Sequence, residues 1–314
     1  MNIKLIVILL TSILFSACTF SKKNKQDIFF ERRGYAFSYD LNKPDKLWHL
    51  PDGLAEISGL SFIDKDRLAC NQDEKGNIYI FNIKKGELEN KIKFNGSGDY
   101  EAIEVVGEDV WIIKSNGYLY RVKDYKKNKS YKEHKYKTSF DERNNIEGLG
   151  YDPVKHRVLI ACKGYPFIGN KHKKRTDKFK AVYEFDLKNN KLNKKPVFLI
   201  SLDSVRYYKS YNTITRLGVE ISSSFDSSEG DASFKPSGIA VHPVTGNIYV
   251  LASVGKSLIV LNPQGEILAL IRLKKEIHKQ PEGICFSPEG TLYISNEDKG
   301  GRGSIMVFYQ KKSE

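Results

Sequence analysis

The chain has 314 residues with 51 Lys or Arg against 38 Asp or Glu, a formal charge of +13 at pH 7, and four cysteines. That length holds one large all-β domain or two ordinary ones. Much of the excess charge lies in two patches, residues 123–137 and 171–180, so it reads as solvated loops, or contacts to anionic headgroups or glycans, rather than a nucleic-acid surface.

At the N-terminus, Lys4 precedes an apolar run from Leu5 through Phe15, closed by Ser16-Ala17-Cys18. The run is short for a bilayer span and ends in small residues, as a secretory signal does. Cys18, followed by Thr19 and a polar stretch, resembles a bacterial lipobox. Its thiol is then acylated, with chains such as palmitate, and becomes the new N-terminus. Phe15 departs from the usual aliphatic residue three places earlier; an ordinary cleaved signal would leave a soluble periplasmic protein instead. The expected organisation is a signal over 1–18, a tether over 19–33 and one domain over 34–314. Cys70, Cys162 and Cys285, an odd set inside apolar runs, are expected as buried free thiols.

Within the domain one pattern recurs in five copies, opening at Ile57-Ser58-Gly59-Leu60, Tyr100-Glu101-Ala102-Ile103, Ile146-Glu147-Gly148-Leu149, Pro236-Ser237-Gly238-Ile239 and Pro281-Glu282-Gly283-Ile284. Each opens a strand, passes a turn (64–66, 106–109, 152–155, 242–246, 287–290) and continues as a second strand (67–71, 110–114, 158–162, 248–252, 291–295). Third strands are expected at 78–82, 118–122, 181–186, 257–262 and 304–309, and fourth strands at 88–94, 131–138, 196–202 and 266–273. The fifth copy has no room for a fourth strand after its third. The segment 34–50 supplies it, with strand character at Tyr35 to Tyr39 and Leu47 to Leu50, closing the ring so that no sheet edge stays open. Four strands per repeat of about 45 residues is the signature of a five-bladed β-propeller. The wide gap between the third and fourth copies leaves a six-bladed ring as the alternative; it reads instead as insertions near 165–180 and 203–235.

In a propeller the innermost strands line a central channel, so Ser58, Glu101, Glu147, Ser237 and Glu282 converge. Three carboxylates gathered in a channel need protons or a cation. Hard oxygen donors suit calcium better than magnesium, which demands tighter octahedral geometry. Glu56 and Asp99 stand two residues before ring positions, and Asp73 and Glu297 follow second strands. The other reading of the ring is blade-to-blade hydrogen bonding without a ligand. Lys114 and Lys163 are counter-charges or contacts for an anionic substrate. The six histidines show no zinc spacing, His242 reads as a turn residue, and Gly300-Gly301-Arg302-Gly303 reads as a hairpin loop.

The five motifs, together with Leu292-Tyr293-Ile294-Ser295-Asn296-Glu297, resemble the SdiA-regulated, or YjiK-like, propeller family over about residues 39–308. The resemblance implies a five-bladed propeller at the bacterial envelope and a distant likeness to calcium-dependent propeller phosphatases such as phytases. Lys235 departs from it, standing where the family tends to have an acid. Two functions follow. One is a monomeric, lipid-anchored binding module that uses a calcium-stabilised face to hold a ligand or protein partner, in the plasma or outer membrane. The alternative is a calcium-dependent hydrolase of phosphate esters or lactones, with Glu101, Glu147 and Glu282 on the metal and Lys114 or Lys163 facing the substrate.

Overall fold

The computed structural model describes residues 26–126, 131–169, 178–217, 233–298 and 300–311. Cys18 and the signal segment lie outside the described residues, as does most of the second basic patch.

Two strands, β1 (Ile28–Glu31) and β2 (Lys46–His49), precede the first blade. Blade one is β3 (Ile57–Asp64), β4 (Arg67–Gln72), β5 (Lys75–Asn82) and β6 (Glu87–Ser97). Blade two is β7 (Tyr100–Val106), β8 (Asp109–Lys114), β9 (Tyr118–Lys123) and β10 (Lys132–Lys137). Blade three is β11 (Ile146–Asp152), β12 (Arg157–Cys162) and β13 (Phe179–Asp186), with the short β14 (Lys191–Leu192) and β15 (Phe198–Ser201) both on the edge of β13. The helix α1 (Leu202–Leu217) follows. Blade four is β16 (Lys235–Val241), β17 (Ile248–Val254), β18 (Ser257–Leu261) and β19 (Ile267–Arg272), and blade five is β20 (Pro281–Phe286), β21 (Leu292–Asn296) and β22 (Ser304–Phe308). The five antiparallel sheets make a five-bladed β-propeller, and no sixth sheet exists among the described residues.

The last blade is closed as the repeat count demands: β2 pairs antiparallel with β22, Leu47 opposite Met306 and His49 opposite Ser304. Two expectations for the N-terminal segment need correction. Tyr35 to Tyr39 forms no strand; Phe37, Tyr39 and Leu41 are instead buried between blades four and five, where the Tyr39 hydroxyl donates to the Gly290 carbonyl at 2.6 Å. The stretch read as a tether contains β1, which pairs with β19 as a fifth strand of blade four. Burial of Gln26, with its side-chain oxygen accepting from the Leu41 amide at 2.6 Å, ties the chain down before residue 34. The physical reason is an edge: β19 would otherwise expose a row of unpaired amides, and β1 covers it. The tract 203–235 holds α1, which packs on β1 with Tyr208 stacked on Phe30 at 3.9 Å between ring centroids.

The core is divided into five apolar clusters, one at each junction of neighbouring blades. Side chains of a strand point alternately to its two faces, so on β4 Leu68 and Cys70 pack toward blade five while Ala69 packs toward blade two. A sheet covered on both faces reads as a continuous apolar run, which is why the second strands look unbroken in sequence. Cys70, Cys162 and Cys285 are free and buried, and burial pushes each thiol far from ionisation. His242 organises its turn: its Nδ1 accepts from the amides of Val244 and Thr245 at 3.2 and 3.3 Å. Residues 300–303 join β21 to β22 as the expected hairpin loop.

Candidate functional site

The Gly of the repeated motif is a packing requirement. A Cβ on Gly238 would stand 2.6 Å from the Glu282 carbonyl oxygen, and one on Gly59 would stand 2.9 Å from the Ala102 Cα and the Ile103 amide. Innermost strands of neighbouring blades therefore approach with almost no side chain between them, and the channel is narrow. Its central void is about 10 Å³, lined by Ser58, Glu147, Ser237 and Glu282 together with the apolar residues that follow them.

The residue just before that Gly or Ala is a bulge in every blade. Pairing with the second strand skips from Ile57 to Gly59, Tyr100 to Ala102, Ile146 to Gly148, Pro236 to Gly238 and Pro281 to Ile284. Ser58, Glu101, Glu147, Ser237 and Glu282 are the residues left without a ladder partner. A bulge re-aims a side chain, and repeated in every blade it brings the carboxyls of Glu101 and Glu282 within range of Glu147 at one mouth of the ring.

The acids at this mouth sense one another. Burial raises the Glu101 carboxyl to about 9, helped by the charges of Glu147 and Asp99 and opposed by Lys163. Glu282 is raised to about 8 by burial and then by Glu147, again opposed by Lys163. Glu147 is also held above the ordinary carboxylate range by burial, although the Lys163 ammonium, at 2.8 Å, and the Asn145 amide, at 3.0 Å, work against the shift. Lys163 itself stays above its ordinary range: burial works against it, and the charges of Glu147, Glu282 and Glu101 outweigh that cost.

The ring thus contains its own counter-charge, Lys163 paired with Glu147. Lys114 lies over the Tyr100 ring, 4.8 Å from its centroid. Ser237 serves as a tie between blades, its hydroxyl donating to the Pro281 carbonyl at 2.7 Å and accepting from the Ser253 amide at 3.1 Å. Asp73 is held above its ordinary range by burial and then by the charge of Glu56. Glu297 joins the ring indirectly, accepting from the Gln280 side chain, which also bonds Glu282. Among the described residues no three His, Cys, Asp or Glu stand at metal-ligand spacing, so the resting ring is not a preformed cage.

Two lysines that the sequence reading did not place at the ring lie near it: Lys180, read there as part of a solvated basic patch but buried, and Lys256. The Lys180 ammonium donates to the carbonyls of Lys163 and Gly164 and fixes that loop; burial and the charge of Lys235 lower it to about 8. Lys256 donates to the Lys279 carbonyl and is lowered by burial, with Glu282 opposing. Both lie at strand ends facing the mouth, a placement that only alignment of the third strands and second-strand loops reveals.

The raised acids make stability fall with pH. Glu101 and Glu282, with Glu104 also raised to about 8, keep protons in the folded chain that the unfolded chain has released above its ordinary carboxylate range. Each such proton takes about 1.4 kcal/mol from stability per pH unit until its folded pKa is passed. His278, lowered to about 4, and His242 act oppositely, but only below the ordinary histidine pKa, and Lys180 acts oppositely only above about 8. The clean window is pH 6.5 to 8. Urea melts across it are expected to show falling stability, with a shallower slope in a Glu101→Gln, Glu282→Gln variant; a wild-type stability independent of pH would contradict the ring described here.

A family model described as SdiA-regulated matches residues 46–217 and 193–299. No curated protein sequence matches the chain significantly. Among solved structures it is similar to a chain of a nidogen/laminin complex (15% identity, TM-score 0.47, covering 76% of this chain and 72% of that one). It is also similar to a streptogramin B lyase (10%, TM-score 0.46, covering 84% and 97%) and to a gluconolactonase from Xanthomonas campestris (10%, TM-score 0.47, covering 81% and 72%). With the family match running through every blade of the propeller, the chain belongs to the SdiA-regulated family.

Proposed function

We propose that the chain is a binding module of the bacterial envelope, anchored through Cys18, whose ring mouth takes a divalent cation in exchange for protons. The observation that carries this reading is a bulge at the ring position of every blade, with the three carboxyls at those positions, Glu101, Glu147 and Glu282, held away from their ordinary charge. A carboxyl raised by burial and like charge gains most from a cation placed beside it. The donor set is irregular and all oxygen, which suits calcium rather than magnesium, whose octahedral geometry is stricter. Binding requires Lys163 to leave Glu147 and the Glu101 and Glu282 side chains to turn inward. A non-catalytic role is favoured because Lys163, the cation that would meet an anionic substrate, is engaged by Glu147 within the ring. No helix among the described residues is long and apolar enough to cross a membrane, and anchoring rests on the N-terminal sequence.

The test is a thermal melt of the purified protein with chelator, calcium or magnesium. At about a hundredfold excess over Kd the expected rise is roughly 5 °C or more for calcium, less for magnesium, and none in a Glu101→Gln, Glu147→Gln variant. Equal melting with chelator and calcium would leave the ring as scaffolding between blades.

A further inference from the structure

The propeller has a second mouth, where the innermost strands end. A cavity of about 250 Å³ opens there, walled by Phe62, Val105, Val241, Phe286, Pro153 and Pro243. The central void of about 10 Å³, bounded by Leu60, Ile103, Leu149, Ile239 and Ile284, separates it from the acidic ring. Val154 and Val244, 86% and 70% exposed, follow two of the wall prolines and extend the apolar rim.

One group in this cavity breaks the pattern of the repeats. The residue after the motif's Leu or Ile is Ser61, Gly150, Ala240 or Cys285 in four blades and Glu104 in the remaining one. The Glu104 carboxylate accepts from the Ser61 hydroxyl at 3.0 Å, and that hydroxyl in turn accepts from the Val105 amide at 2.9 Å. Tyr151 on β11 and Cys285 on β20 are the other titratable groups lining the cavity. Among the described residues no Lys, Arg or His makes an ion pair with Glu104. Burial, opposed by hydrogen bonds from the Ser61 hydroxyl and the Tyr151 and Val105 backbone but by no cation, raises the carboxyl to about 8.

We propose that this second mouth binds a small, largely apolar molecule bearing one protonated amine, with its body against Phe62 and Phe286 and its ammonium on Glu104. The cavity lies just below the range of drug-sized sites and has their usual make-up, apolar walls with one placed polar group. Once ionised, an acid in such a wall repels an anion and offers a neutral ligand one hydrogen bond. To an ammonium it offers a charge-assisted hydrogen bond and gains the counter-charge that the fold does not provide. The small residues at the equivalent positions of the other blades leave the space that the ligand body fills.

Three probes of matched shape test this: 2-phenylethylamine, 2-phenylethanol and 3-phenylpropanoate, titrated calorimetrically into the purified protein at pH 9, where Glu104, raised to about 8, is ionised and an alkylamine is still protonated. The amine is expected to bind about tenfold or more tighter than the alcohol, the difference that one charge-assisted bond supplies, and the acid is expected not to bind. Glu104→Gln, checked for an unchanged fold by its melt, is expected to make amine and alcohol equal. Val241→Trp, which fills the cavity without altering charge, is expected to abolish both. Glu282→Gln, at the opposite mouth, is expected to change neither, so the result is independent of any cation at the ring. Absence of amine binding, equal binding of the three probes, or amine binding lost in Glu282→Gln but kept in Glu104→Gln would each overturn the proposal.

Discussion

Lys163→Met is expected to lower stability by about 3 kcal/mol at pH 7.5, the lower end of what removing one partner of a buried ion pair costs. Glu147 is 7% exposed and Lys163 26% exposed, so the acid left behind is the more deeply buried group. It cannot stay ionised cheaply among Glu101 and Glu282, and it loses its 2.8 Å contact while keeping only Asn145. The loss is expected to shrink toward pH 5, where Glu147 is relieved by protonation. Replacing both partners, Glu147→Gln with Lys163→Met, is expected to recover most of the stability, because no charge is then stranded. Urea melts of the four members of the cycle measure this; a coupling below about 0.5 kcal/mol would make the pair a surface contact.

Gly238→Val is expected to cost about 3 kcal/mol or more, enough to threaten folding. The nearest atom its side chain would meet is backbone of the next blade, the Glu282 carbonyl oxygen at 2.6 Å, with the Ile284 side chain at 3.0 Å and its amide at 3.5 Å, so relief requires moving β20. That movement would spread the ring and displace Glu282. Gly96, on the outer strand of blade one, has nothing within 4 Å of an added Cβ, and Gly96→Ala is expected to change stability by less than about 0.5 kcal/mol. Comparable chemical denaturation midpoints for the two variants would show that the innermost strands are not in close contact.

The blades were legible in the sequence because each sheet is covered on both faces and its strands carry apolar runs bounded by turns. Ring closure by residues 46–49 was legible too, from the missing strand of the fifth copy. The bulges were not, since a bulge arises from how two strands pair and neither strand's pattern records it. β1 was missed for a related reason: Ile28-Phe29-Phe30 looks like the end of a tether until β19 presents an edge to cover. Convergence of Glu101, Glu147 and Glu282 followed from the repeat, and Lys163 stood out as a counter-charge or a substrate contact; that it pairs with Glu147 is a matter of geometry that the sequence does not record. Glu104 was within reach of the sequence. Its position becomes conspicuous once the copies are aligned past the motif and the other blades show Ser, Gly, Ala and Cys.

The most direct measurement on the ring is a calorimetric titration of calcium into the protein at pH 7, repeated in two buffers of different ionisation enthalpy. Exchange of a cation for protons on Glu101 and Glu282 predicts binding whose heat differs between the buffers by the release of one to two protons, and neither binding nor release in the Glu101→Gln, Glu147→Gln variant. Calcium binding that releases no protons, or that survives in the variant, would contradict the account.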